Sequence, residues 1–200
     1  MFADWMYALL KGILRPLFIV TFKIRTDGFD TIPKKGPLIV ICNHVSGFDP
    51  PVVGTLIPRP VYFMTKVELF RFRPFAFVIS ALHAYPVKRG TPDRKSLRYS
   101  LNLLHDGQTL LIFPEGHRTE TGELQPARSG TVFLTKHSKA QLVPVGIVGE
   151  YGFRRGIRYY VGSAFTIPND MPTLEAQYLL ITKIKEQMDR GGGRGPSENR

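Results

Sequence analysis

Pro37-Leu38-Ile39-Val40-Ile41-Cys42-Asn43-His44-Val45-Ser46-Gly47-Phe48-Asp49-Pro50-Pro51 is the stretch whose reading decides the fold. The unbroken apolar run from Pro37 to Cys42 reads as a buried strand that ends at His44. Pro favours the first position of a helix and Asp the cap before it, so a helix is expected to begin at Asp49 with Pro50 and Pro51 inside it. Between the two elements Ser46 and Gly47 let the chain fold back. The Asp49 carboxylate can then reach one nitrogen of the His44 ring and leave the other facing a substrate. An imidazole held in this way is a general base: the carboxylate fixes its tautomer and stabilises the imidazolium formed on proton uptake. Taken alone, H-x4-D is a pattern that chance supplies often, and a surface histidine beside an ordinary helix cap satisfies it equally. The rest of the chain has to decide.

Working outward, the pattern alternates strands and helices. Strands are expected over 22–27, 61–65, 109–113 and 142–148, with one or two more between Ile157 and Ile167. Helices are expected over 50–57, 75–82, 93–105, 129–136 and 173–188, the last with a Ser/Thr-type cap at its start and Gly191 at its end. This alternation predicts an α/β fold, a single-domain sandwich with a largely parallel central sheet flanked by helices. Its expected limits are residues 22–189. Residues 190–200, rich in Gly and polar side chains, are expected to be a disordered tail. Two hundred residues with 43% apolar content suit one domain with a sizeable core. The single cysteine, Cys42, rules out an intrachain disulfide and fits a reducing compartment.

Residues 1–21 read differently. On a helical count Met6, Leu10, Ile13, Leu17 and Val20 share one face, and Asp4, Ala8, Lys11 and Arg15 another. Eighteen such residues reach about 27 Å, close to the thickness of a hydrocarbon core. Setting Lys11 and Arg15 at its midplane would cost about 2.5 to 3.5 kcal/mol each, and Pro16 is expected to break or kink the helix. The segment is therefore read as an N-terminal amphipathic membrane-associating helix lying in the interface, with Trp5 and Tyr7 at headgroup depth and the cations toward anionic lipid. Packing in the core is the alternative. A net charge of +11 points to an anionic partner, whether membrane, phosphate-bearing small molecule or nucleic acid. Nucleic acid is disfavoured, because the cations are scattered and no nucleic-acid module is recognisable. Positive charge beside the helix places the expected location at a membrane on its cytoplasmic face, peripheral or monotopic.

Three strand ends carry polar residues suited to a site: Asn43 to Asp49, Lys88-Arg89 and Glu115 to Arg118. In open α/β sheets ligands bind beyond the carboxyl ends of strands, so these three are expected to converge. In Phe113-Pro114-Glu115-Gly116-His117-Arg118, Pro stops the strand, Gly permits a tight turn, and Arg offers a planar fork for phosphate. Glu115 is placed to hold Arg118 or to accept from a substrate hydroxyl.

With these segments in view, the chain resembles the 1-acyl-sn-glycerol-3-phosphate acyltransferases (lysophosphatidic acid acyltransferases) of the glycerolipid acyltransferase superfamily. The resemblance rests on four ordered blocks: Asn43-His44-x4-Asp49, Tyr85-Pro86-Val87-x-Arg89, Phe113-Pro114-Glu115-Gly116-x-Arg118, and Val143-Pro144-Val145-Gly146-Ile147. It implies His44 and Asp49 as catalytic dyad, Arg89 and Arg118 as ligands of the acceptor phosphate, and Glu115 and Gly116 as residues shaping that substrate site. The fourth block would line the acyl donor or support the core. The chain departs from many relatives at His83, where Gly is common, and at Lys88, where an acidic or polar residue is common. The activity implied is transfer of an acyl group from a thioester, acyl-CoA or acyl-carrier protein, to the free hydroxyl of lysophosphatidic acid, giving phosphatidic acid. Neither a cofactor nor a metal is required. Backbone N–H groups at the helix after Asp49, or in the turn from Glu115 to Arg118, are the expected oxyanion donors.

Other chemistries fit less well. His83, His105, His117 and His137 lack ligand spacing, no G-x-S-x-G elbow occurs, and Cys42 within a strand is expected to be buried and inert. Two alternatives to the implied activity stay open: an acyltransferase with another lysophospholipid or hydroxylated lipid as acceptor, and a non-catalytic module that binds anionic lipid.

Overall fold

The computed structural model describes residues 2–88, 90, 93–118 and 124–192. Its strands are β1 (Ile24–Asp27), β2 (Leu38–Cys42), β3 (Val61–Lys66), β4 (Ala84–Val87), β5 (Thr109–Ile112), β6 (Gln141–Gly149) and β7 (Ile157–Val161). Its helices are α1 (Phe2–Phe22), α2 (Asp49–Leu56), α3 (Arg73–Ala81), α4 (Arg94–His105), α5 (Ser129–Ser138) and α6 (Thr173–Arg190). The strands form one sheet in the order β1-β7-β6-β2-β5-β3-β4, which puts β2 at its centre. All neighbours run parallel except β6 and β7, which are antiparallel. The α/β sandwich with a largely parallel sheet is therefore the observed fold.

Alternation along the strands explains why both faces are covered. Leu38, Val40 and Cys42 of β2 join one core with Val143, Val145 and Ile147 of β6, beneath α1, α2 and α3. Ile39 and Ile41 point the other way, into a second core with Leu110, Ile112 and Leu142, beneath α4, α5 and α6. Burial on both sides is what turns a strand into a continuous apolar run. The fourth sequence block thus supports the core. Cys42 is fully buried, and burial, followed by the nearby charge of Asp49, pushes its thiol well above the usual range.

Several boundaries differ from expectation. Phe22 ends α1 instead of opening a strand, and Lys23 in the left-handed region (φ 50°) makes the break before β1. Thr173 is the first residue of α6, not its cap, and Pro172 precedes it without a side-chain cap. Arg190 belongs to α6 and not to a tail: its guanidinium donates to Val161 O at 2.8 Å and to Asp27 at 2.6 Å. Residues 193–200 of the expected tail lie outside the described residues.

The largest difference is in α1. It continues through Pro16 and lays Tyr7, Leu10, Leu14, Phe18 and Phe22 on the domain, while Trp5, Leu9, Ile13, Leu17 and Val20 are exposed. Of the face expected to meet lipid, Ile13, Leu17 and Val20 are exposed, whereas Met6 and Leu10 are half-buried. A helix that is apolar nearly all round has no periodicity strong enough to single out one face. Tyr7 is buried, with its ring stacked on His83 at 4.4 Å, and its hydroxyl bonds Gly54 O and Val61 N. Lys11 turns inward too and donates to the carbonyls of Ile57 and Arg59. His83 has φ 63° and lies between the rings of Tyr7 and Tyr62. A left-handed backbone at this position is the physical reason a glycine suits it.

Candidate active site

The site is built where β2 stops. After Cys42 the strand would run out of partners, but the Asn43 side chain extends the ladder by one rung. Its Nδ2 donates to Ile147 O at 2.9 Å and its Oδ1 accepts from Ile147 N at 2.7 Å. An amide side chain has the donor and acceptor of a peptide group, so it can imitate one. This rung fixes the direction in which His44 leaves the sheet.

His44 is 6% exposed, and its ring stacks on Phe113 at 4.2 Å with 24° between planes. Phe113 follows β5, the parallel neighbour of β2, so two strand ends form one wall. Nδ1 of His44 lies 2.8 Å from Oδ2 of Asp49, which is fully buried. Nε2 is the ring nitrogen left for other work. Asp49 is the first residue of α2 and not a cap in the expected sense. Its Oδ2 turns back over the loop and accepts from Val45 N at 2.7 Å and Ser46 N at 2.8 Å. Three donors on one oxygen hold the carboxylate in place, and both backbone donors belong to the loop that carries His44. Strand, loop and helix start are thus closed into a ring around the pair.

α2 offers no free donor at its N-terminus. Asp49 N–H goes to Ser46 O at 3.0 Å, Pro50 and Pro51 have no N–H, and Val52 N–H goes to Phe48 O at 3.0 Å. The expectation that this helix start receives an oxyanion is not met.

The turn after β5 lies at the same end of the sheet. Glu115 is fully buried, and its carboxylate accepts from Gln125 N at 3.0 Å, tying the turn to the segment that leads into α5. Gly116 has φ 74° and is exposed beside Arg128, whose side chain would lie 3.2 Å from a Cβ placed there. Arg128 Nε donates to Glu115 O at 3.2 Å. Arg118 is exposed, three residues past Glu115. Arg89 lies outside the described residues. Lys88, just past the end of β4, is exposed, and its N–H donates to Asp93 at 3.0 Å. That bond and those from Lys95 N and Ser96 N hold the Asp93 carboxyl at about 2, below its usual 3.8. Asn43 and Arg128 are the two residues whose part here was not anticipated. Asn43 stood inside the first block with no role given to it, and Arg128 had no signal beyond its charge.

Among the described residues no cluster of three or more His, Cys, Asp or Glu could hold a metal ion. A model of the acyltransferase family matches residues 23–148. A 1-acyl-sn-glycerol-3-phosphate acyltransferase of Bacillus subtilis is 28% identical over 145 residues, 72% of each chain. A lyso-ornithine lipid O-acyltransferase of Pseudomonas aeruginosa is also 28% identical, over 127 residues, 63% of this chain and 47% of the relative. The crystal structure of a 1-acyl-sn-glycerophosphate acyltransferase from Thermotoga maritima superposes with a TM-score of 0.76 over 98% of this chain and 81% of that one, at 19% identity.

Proposed function

The chain belongs to the acyltransferase family, and we propose on that footing that it moves a fatty acyl group from an acyl thioester to the free hydroxyl of 1-acyl-glycerol-3-phosphate, giving phosphatidic acid. The observation that carries this reading is the buried 2.8 Å contact of His44 and Asp49 at the carboxyl end of the central strand. His44, with Nδ1 held by Asp49, takes the acceptor's hydroxyl proton on Nε2 as that oxygen attacks the thioester carbonyl. The tetrahedral oxyanion collapses and expels thiolate. Asp49 keeps the tautomer and stabilises the imidazolium between these steps. With the start of α2 closed to new acceptors, the turn from Glu115 to Arg118 is the source of oxyanion donors in this reading. Arg118, and with it Arg89, binds the acceptor phosphate, while Glu115 and Gly116 shape the turn that presents Arg118. The donor is acyl-CoA or acyl-carrier protein, and no cofactor takes part.

The names of curated relatives support a lysophosphatidic acid acceptor. A second acceptor class has a specific observation in its favour: the lyso-ornithine lipid enzyme is as similar as the B. subtilis relative in identity. The exposed apolar stripe of α1, with Leu69, Phe72, Phe75 and Phe77 exposed at and beside α3, supports attachment to a membrane surface. We place that surface on the cytoplasmic side.

The test is acyl transfer by the purified protein with lysophosphatidic acid, lyso-ornithine lipid and other lysolipids, and with both donors. Product with lysophosphatidic acid and loss of turnover in His44→Ala are expected. Near-normal turnover in His44→Ala would refute the dyad. Lipid binding without product in the wild type would leave only a binding module.

A further inference from the structure

Oδ2 of Asp49 is saturated by three donors, but Oδ1 is fully buried and accepts no hydrogen bond from the described residues. An ionised oxygen in that condition costs stability unless a donor reaches it. Two phenols stand behind it. Tyr151, just past the end of β6, packs its ring edge-on against Phe22 at 5.0 Å and tilted against Phe48, the neighbour of Asp49, at 5.8 Å. Its hydroxyl is hydrogen-bonded to that of Tyr159, a fully buried residue of β7 paired with Ile147, the residue that holds Asn43. Burial is the main reason both phenols are held far above their usual range. The Asp49 carboxylate is a further cause at each, so its charge is felt at both hydroxyls. Both stay protonated, and both are donors.

We propose that Tyr151 is a positioning residue for the His44–Asp49 pair, its hydroxyl donating to Oδ1 of Asp49 while Tyr159 donates to Tyr151. The proton count fits. The two phenols share two protons: one is used between them, and the other is left for Oδ1 of Asp49. Asp49 is then gripped on both oxygens, Oδ2 by its own loop and Oδ1 from the hairpin of β6 and β7. That second grip is supplied by a segment outside the four sequence blocks. It acts on His44 through Asp49, and this inference rests on the dyad reading above.

The experiment compares wild type, Tyr151→Phe, Tyr159→Phe and His44→Ala as full chains. One measurement is steady-state acyl transfer to lysophosphatidic acid from acyl-CoA. The other is the low-field proton resonance of His44 Nδ1–H in the absence of substrate. Tyr151→Phe keeps the ring and its packing, so a purely structural residue would tolerate it. The expected result is a fall in kcat of about tenfold with KM changed by less than about twofold. The Nδ1 proton should also move downfield, because a carboxylate relieved of one donor accepts more strongly from the imidazole. Tyr159→Phe should move both readouts in the same direction and by less. Wild-type kcat and an unmoved resonance in Tyr151→Phe would overturn the proposal. If Tyr151→Phe fails to fold, an unmoved resonance in Tyr159→Phe overturns it instead. Normal turnover in His44→Ala would sink the dyad itself. Loss in His44→Ala beside an unaffected Tyr151→Phe would sink only the part given to Tyr151. The resonance is read without substrate, so it decides even where the acceptor tested is the wrong one.

Discussion

At the scale of single residues, the site depends on side chains that imitate backbone or gather it. Asp49→Asn tests the second case. The amide oxygen can still accept from Val45 and Ser46 N–H, but it then offers His44 a poorer acceptor and no charge. The expected outcome is a folded protein whose kcat is lower by roughly 10³ to 10⁴, the size of the loss when the acid of a catalytic triad becomes its amide. Asn43→Ala tests the first. It strands the buried N–H and C=O of Ile147, and a loss of about 2 kcal/mol in a urea titration is expected. Legibility divides along the same line. His44 and Asp49 could be read as a pair because they lie five positions apart across a strand end and a helix start, both of which have local signatures. Asn43 with Ile147 spans 104 positions, and nothing near either residue announces the other. Arg128 over Gly116, and the inward turn of Glu115, are equally products of tertiary packing.

Elements were legible where one face or both are unambiguously apolar. β2, β5 and β6 are buried on both sides, and their runs of Leu, Ile and Val say so. α1 was legible as a helix, but the inward turn of Tyr7 and Lys11 was not, because apolar residues surround it and the domain, not the periodicity, chose which stripe to cover. Its Lys11 gives a measurable consequence. Burial, with a smaller part from Arg15, lowers its amine from 10.5 to about 8. The native state therefore gives up this proton before the unfolded chain does. Between those two values the unfolded chain binds more protons, so stability from this group rises with pH. Wild type should gain stability relative to Lys11→Met as pH is raised through that window, as read by urea unfolding. A second test concerns the contact of α6 with β6. A Cβ on Gly146 would lie 2.5 Å from the backbone of Gln187, so Gly146→Ala must push the helix off the sheet. A cost of about 1 to 3 kcal/mol is expected, seen as a lower melting temperature.

For the molecule as a whole, charge and shape act together. The net charge of +11 and the exposed stripes of α1 and α3 predict co-sedimentation with vesicles containing anionic phospholipid. Binding should be weaker to purely zwitterionic vesicles and should decline as salt is raised. Trp5→Ala with Phe72→Ala should weaken it even at low salt, because both side chains are well exposed and apolar. The central position of β2, three strands from either border, has its own consequence for how the protein fails. Fraying begins at the periphery, so β1 or β4 can loosen while the midline, with His44 and Asp49 attached, stays whole. Heat should therefore leave His44 and Asp49 paired until the step that melts the sheet, as read by the His44 Nδ1–H resonance.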